Sequence, residues 1–223
     1  MTSVACIIPA YDAATTLEAV ASGLRASLPG ALLVAVDDGS ADRTRDVALS
    51  CCDRVVHFRE NRGKGAALRA GFEVAHAECA QRVITIDADG QHDPARAPSL
   101  LAALDGADVV IGSRDRTRGT MPLGRRVTNA LASAAVGAIV GVGVPDAQSG
   151  YRAMRRDVLV AVRATGDRYE YETEFLIEAV RAGYRVTSVT VPTMYGAPSH
   201  FHPWRDSMRV VRAIWRHRGR AVS

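Results

Sequence analysis

The residues with the plainest chemistry stand in one stretch, Val83-Ile-Thr-Ile-Asp87-Ala-Asp89-Gly-Gln91-His92-Asp93-Pro94. A β-branched run ends in two carboxylates one residue apart, and an amide and an imidazole follow. If the chain stays extended, alternation points Asp87 and Asp89 the same way. Two acidic oxygens with an amide oxygen nearby form a donor set for a hard cation, Mg2+ or Mn2+. The same residues also suit a strand-ending turn whose aspartates cap the next helix, a task that fits Asp93-Pro94. On this stretch alone both readings stand.

A second chemical residue is Lys64. Among 28 lysines and arginines it is the single lysine, and it lies in Asn61-Arg-Gly-Lys64-Gly. Codon bias accounts for an excess of arginine but not for where the lysine stands. A compact ammonium beside flexible backbone suits a phosphate or diphosphate.

The chain has 223 residues, 48% hydrophobic and 23% charged, with a net charge of +4. That is globular composition, long enough for one domain with a sizeable core. Cys6, Cys51, Cys52 and Cys79 show no C-x-x-C spacing. Cys6 and Cys79 sit in apolar patterns and read as buried thiols of a reducing compartment. Met1-Thr-Ser-Val runs into a strand with no secretory pattern, so a cytoplasmic location is expected.

Strand and helix alternate through the first half. Strands are expected at 4–8, 31–36, 54–58, 83–87 and 108–112, and a later one at 185–191. Helices are expected from Thr15 or Thr16 to Ser27, from Asp42 to Ser50, at 65–77 and at 94–104. This order argues a doubly wound, mostly parallel sheet flanked by helices. The polar segments Pro9-Ala-Tyr11, Asp37-Asp38-Gly39-Ser40, Asp87-Ala-Asp89 and Gly112-Ser113-Arg114 then all fall at the carboxyl edge, where open α/β sheets bind ligands. No G-x-G-x-x-G follows the first strand, Gly63-Lys64-Gly65 lacks the spacing of a P-loop, and no G-x-S-x-G elbow is present.

Six segments in order carry a family likeness. They are Ile8-Pro9-Ala-Tyr11, Asp37-Asp38-Gly39-Ser40-Ala-Asp42-Arg-Thr44, Asn61-Arg-Gly63-Lys-Gly65-Ala66, Asp87-Ala-Asp89-Gly-Gln91-His92-Asp-Pro94, Ser113-Arg114 and Asp146-Ala-Gln-Ser149-Gly150-Tyr-Arg152. Together they resemble family 2 glycosyltransferases of the GT-A fold, above all the polyprenyl-phosphate (dolichyl-phosphate) mannosyl- and glucosyltransferases. The likeness spans roughly residues 4 to 192. Where that family often has an acidic residue two places after the tyrosine, this chain has Ala13.

The resemblance implies a nucleotide-sugar donor, GDP-mannose or UDP-glucose, with Mg2+ or Mn2+ and inverting transfer to polyprenyl phosphate. It implies that Asp87, Asp89 and Gln91 hold the metal, while Pro9, Tyr11, Asp37, Asp38, Lys64, Asp87, Ala88 and Arg205 contact the donor. Asp89, Arg114 and Arg126 are the implied catalytic residues. Ser113, Arg114, Arg125, Arg126 and Ser149 are implied for the acceptor, since guanidiniums bind a phosphate monoester by paired hydrogen bonds. Such a phosphate is already anionic and needs no strong base. A hydroxyl acceptor would need one, with Asp146, Glu172 or Glu174 as candidates. Glu170 and Glu172 also read as a solvated helix N-terminus favoured by the dipole.

Residues 131–144 are apolar but shorter than the roughly twenty residues of a bilayer span. They read as a buried core helix or as an interfacial one. Residues 1–198 are expected to form the catalytic domain. Residues 199–223 would add a loop containing His200 and His202, then a helix with Arg205, Arg209, Arg212 and Arg216 on one face. That helix suits a peripheral contact with an anionic membrane or a solvated face, and no motif points to nucleic acid. The rival readings are the same donor chemistry on a soluble hydroxyl acceptor, a sugar-1-phosphate nucleotidylyltransferase, and a non-catalytic nucleotide-binding or membrane-docking module.

Overall fold

The computed structural model describes residues 3–114, 133, 137 and 146–192. Its strands are β1 (Val4–Ala10), β2 (Leu32–Asp37), β3 (Arg54–His57), β4 (Arg82–Thr85), β5 (Val109–Arg114), β6 (Arg152–Arg155) and β7 (Val186–Val191). The helices are α1 (Leu17–Ser27), α2 (Thr44–Cys51), α3 (Lys64–Ala77), α4 (Ala97–Ala103), α5 (Arg156–Ala161) and α6 (Glu170–Arg181).

The described residues form one seven-stranded sheet, ordered β3-β2-β1-β4-β6-β5-β7. Period-two alternation divides its side chains between two cores. Ala5, Ile7, Val34, Val36 and Val83 face one side, where α3, α5 and α6 supply Leu68, Val158 and Phe175. Cys6, Ile8, Leu33, Ala35 and Ile84 face the other, with Leu17 and Leu24 of α1, Ala48 of α2 and Leu100 of α4. Both faces of the central strands are covered, which is why they read as apolar runs.

The expected parallel sheet is present with one exception that the sequence pattern did not reveal. β6 runs antiparallel to both β4 and β5, pairing Thr85 with Arg152 and Ile111 with Arg152. Arg-Ala-Met-Arg has charged ends, and its Arg152 is buried, so neither burial nor alternation was legible. Cys79 also departs from expectation. It is exposed and takes a positive φ of 58° in the turn that ends α3, whereas Cys6 is fully buried. The expected 94–104 helix begins as a 3-10 turn, Pro94–Arg96, capped by the Asp93 carboxylate, which accepts from the Ala95 N–H. Among the described residues no helix is long and apolar enough to cross a membrane.

Candidate active site

Parallel register brings the acidic strand ends together. Ala10 at the end of β1 lies beside Asp37 at the end of β2, and the Ile86 N–H donates to the Ile7 carbonyl as β4 closes. Pro9, Asp37 and Asp87 therefore share the sheet's carboxyl edge, as the strand order required.

Around β2 the carboxylates are used to build the loops. Asp37 is buried; its Oδ1 accepts from the Ser40 N–H at 3.1 Å and its Oδ2 lies 2.8 Å from His57 Nδ1. Asp38 reaches the next loop, accepting from the Arg62 N–H at 2.7 Å and the Gly63 N–H at 2.8 Å. Burial pushes the Asp38 carboxyl up, and these two amides oppose that shift. Gly39 between the loops has φ +72°, and a Cβ there would collide with the Glu60 carbonyl carbon. Only glycine permits that approach in the left-handed region. The loop after β1 is tied in as well: Ser40 Oγ accepts from the Asp12 N–H, and Thr44 Oγ1 accepts from the Ala13 N–H at 2.7 Å. Ala13, at the place where the resembling family often has an acidic side chain, is buried with the residues of α1.

The Asp87 stretch is arranged differently. Lys64 Nζ, at the start of α3, lies 2.6 Å from Asp87 Oδ1 and 2.9 Å from Glu172 Oε1. Burial works to lower the Lys64 pKa, and the two carboxylates override it, so the ammonium is held above its usual range. Burial likewise works to raise Asp87, and Lys64 overrides it downward. Glu172 is buried, which corrects its reading as a solvated helix-end residue. The Lys64 ammonium, expected at a phosphate, spans these two acids instead.

Among the described residues no cation forms an ion pair with Asp89. Its Oδ1 accepts from the Gln91 N–H at 2.9 Å, closing a local turn. Burial, then the charge of Asp87, pushes its carboxyl up to about 6. Behind it His92 is buried against the Tyr151 ring, with centroids 5.3 Å apart, and burial pushes its pKa down to about 4. The turn reading of this stretch is therefore correct for Asp89 and Asp93, and among the described residues no side chain or backbone group bonds the second Asp89 oxygen.

On the side of β5, Arg114 makes a bidentate pair with Asp146, Nε to Oδ2 at 2.8 Å and Nη2 to Oδ1 at 2.7 Å. The Arg114 N–H adds a third bond to the same carboxylate. Ser113 precedes it on β5, half-buried. Ser149 is buried and donates its hydroxyl to the Gly112 carbonyl at 2.7 Å. Glu174 accepts from the Thr165 and Gly166 N–H groups. Arg125, Arg126, Arg205, His200, His202, the domain division at 198–199 and all of 131–144 except Ser133 and Gly137 lie outside the described residues.

A family model described as glycosyl transferase family 2 matches residues 5–163. The chain belongs to that family. It is a glycosyltransferase. The chain is 34% identical over 200 residues to a polyprenol monophosphomannose synthase of Mycolicibacterium smegmatis, covering 83% of this chain and 75% of that protein. An undecaprenyl-phosphate mannosyltransferase of Micrococcus luteus is 31% identical, covering 83% and 81%. Among solved structures, glucosyl-3-phosphoglycerate synthase from Mycobacterium tuberculosis, crystallised with Mn2+, UDP and phosphoglyceric acid, superposes with a TM-score of 0.79. It is 24% identical over 98% of this chain and 79% of its own, and shows the shared GT-A fold.

Within this family 2 glycosyltransferase, the contacts of three residues were not legible in the sequence. Glu172 was set aside as solvated because its helix-start position carries no sign of burial. Gly150 and Arg152 were visible only as motif members. A Cβ on Gly150 would lie 2.5 Å from Asp87 Oδ2 and 2.6 Å from Lys64 Nζ. Arg152 donates to the carbonyls of Ala147, Ser149 and Glu172, each at 2.8 Å. The one usable signal was the solitary lysine, whose partners must be acidic if it is buried.

A divalent cation of the kind the family likeness implies fits the residues present. Among the described residues here, Asp87 and Glu172 share Lys64, Asp146 pairs with Arg114, and Asp89 adds a further carboxylate. Mg2+ is commonly held by one or two carboxylates together with substrate phosphates, a donor set that Asp89, with Gln91 and Asp87 close in sequence, can begin. Among the described residues no group of three or more His, Cys, Asp or Glu side chains forms a closed cage.

Proposed function

We propose that this glycosyltransferase moves a hexose, with inversion, from GDP-mannose or UDP-glucose to polyprenyl phosphate. The observation that carries the reading is the unequal treatment of the two acids after β4. Asp87 is ion-paired with Lys64, and Asp89 is left half-buried with its carboxyl raised to about 6 at the edge where the strand-end loops converge.

In this reading Asp89 and Gln91 hold the Mg2+ or Mn2+, with Asp87 beside them or on the donor ribose. When bound, the metal offsets the charge that develops on the departing nucleoside diphosphate. Pro9, Tyr11 and Ala88 line the donor's approach, and Asp37 and Asp38 hold the two loops that shape it. Lys64 acts on the donor through Asp87. Arg114 with Ser113, and Arg125 and Arg126 beyond the described residues, would orient the acceptor phosphate, with Arg205 reaching the donor diphosphate.

A phosphate acceptor is also favoured by where the candidate bases are. Asp146 is bound to Arg114, Glu172 to Lys64, and Glu174 to two backbone amides. None is set to take a proton from a hydroxyl, and an anionic phosphate needs none taken. The names of the polyprenyl-phosphate relatives agree with this acceptor. We further propose that residues 205–223 dock the protein on an anionic membrane surface, which truncation and liposome sedimentation would test.

The deciding experiment is a screen of radiolabelled GDP- and UDP-sugars with Mn2+, offering a short polyprenyl phosphate and its dephosphorylated alcohol. Label entering the organic phase with the phosphate alone is expected. Transfer to the alcohol, or none to either while soluble acceptors are labelled, would overturn the acceptor assignment.

A further inference from the structure

Lys64, Asp87 and Glu172 come from α3, the segment after β4 and α6, and they meet in the interior beside the donor edge. A lysine in the first turn of a helix is electrostatically misplaced, since that end carries the positive pole of the dipole. It stands there for its carboxylate partners. The contact is also built from the other side. Gly150 leaves the space in which Asp87 and Lys64 touch. Arg152 grips the Glu172 carbonyl along with those of Ala147 and Ser149, fixing the start of α6 against the same loop.

From this geometry we infer that Glu172 is a positioning residue for the transfer reaction: it divides the Lys64 charge between itself and Asp87, and so sets how much negative charge Asp87 presents next to Asp89. With Glu172 ionised, Lys64 has two partners within 2.9 Å and neutralises neither completely. With Glu172 made neutral, the ammonium turns wholly to Asp87, and the edge that receives the cation loses one negative charge. At short range in a poorly solvated site such a loss is felt strongly. Glu172 touches no reacting atom in this scheme. It acts through Lys64 and Asp87.

The inference rests on the reading of Asp87-Ala-Asp89 as the metal and donor edge, and the test separates the two. Mn2+ is titrated calorimetrically at saturating GDP or UDP into wild type, Glu172→Gln and Glu172→Asp, with thermal unfolding of each recorded alongside. Gln keeps the shape and an acceptor for Lys64 but removes the charge. The Mn2+ half-saturation of Glu172→Gln should rise about tenfold, by the charge argument above. Turnover should recover at high Mn2+. Glu172→Asp keeps the charge but withdraws it by one methylene, and should shift in the same direction by about threefold. If the Gln variant does not fold, the Asp variant carries the test. Wild type without Mn2+-linked nucleotide binding would overturn the underlying reading. Linked binding in wild type with an unchanged half-saturation in the variants, or a loss of turnover that high Mn2+ does not restore, would overturn the role of Glu172 alone.

Discussion

Two acidic pairs end strands on either side of β1, and the protein uses them in opposite ways. After β2, Asp37 and Asp38 spend their oxygens on Ser40, His57, Arg62 and Gly63, so the charge is absorbed by structure. After β4, one acid shares Lys64 with Glu172 and the other keeps a charge that burial and its neighbour disfavour. Similar residues at similar places thus separate a scaffold from a site. The difference lies in what surrounds the carboxylates: both oxygens of Asp37 and of Asp38 have partners, whereas Lys64 reaches Asp87 and Asp89 is met only by the Gln91 N–H among the described residues.

The largest effect that would break this comparison is at Asp89. Asp89→Asn should lower transfer by about a thousandfold, the upper range for losing one charged transition-state contact. The same change should stabilise the metal-free protein. A carboxyl raised from 3.8 to about 6 on folding binds more protons folded than unfolded between those values, so its contribution to stability falls as pH rises through them. At pH 8 the full shift corresponds to about 3 kcal/mol, reduced by solvent at its half-buried edge. Thermal unfolding at pH 8 should therefore show a gain for Asp89→Asn that shrinks toward pH 4. A loss of stability at pH 8 would place Asp89 with the scaffold pair.

Protons and cation compete for the same oxygen, so Mn2+-linked nucleotide binding should weaken below about pH 6, approaching tenfold per pH unit once Asp89 is mostly protonated. In Asp89→Asn this dependence should vanish with the binding. A profile flat from pH 5 to 8 would remove Asp89 from the metal.

Asp38→Asn probes the scaffold pair. An amide nitrogen replaces one of the oxygens that serve Arg62 and Gly63, so one buried donor loses its acceptor. That costs about 1–3 kcal/mol. Relief of the buried charge offsets part of it, since burial already holds Asp38 above its usual range. A net loss of about 1–2 kcal/mol in chemical denaturation is expected. Nucleotide binding should weaken because the two loops part. Stabilisation instead would mean that Asp38, like Asp89, is held in reserve for a ligand.

The sequence made the edge legible because strand alternation and parallel order are periodic properties, and they place Asp37, Asp38, Asp87 and Asp89 without contact information. It could not show which acids were already committed. The partners of Asp38 are backbone amides 24 and 25 residues away, and backbone groups have no signature in side-chain types. Glu172 was misread for a different reason: its partner, the Lys64 side chain, is distant in sequence and nothing in the sequence pairs the two. β6 was missed because a buried Arg152 satisfied by three carbonyls looks like any surface arginine until those carbonyls are placed. Cys79 was assigned to the interior from apolar neighbours that belong to two different elements, with the turn between them carrying it outward.

The smallest effect falls at Ser149, where family likeness and geometry lead to different tasks. The likeness puts this serine on the acceptor, whereas its buried hydroxyl donates to the Gly112 carbonyl and lies 3.4 Å from the Tyr151 N–H. Ser149→Ala should then cost about 1 kcal/mol of stability, the usual net worth of one hydrogen bond. The acceptor KM should stay unchanged. The reason is positional: the bond joins β5 to the segment leading into β6, so its loss loosens that seam and not the surface a phosphate would meet. A raised acceptor KM with stability intact would show the hydroxyl turning to the substrate. Ser149 would then move from the scaffold side of the comparison to the side of Asp89.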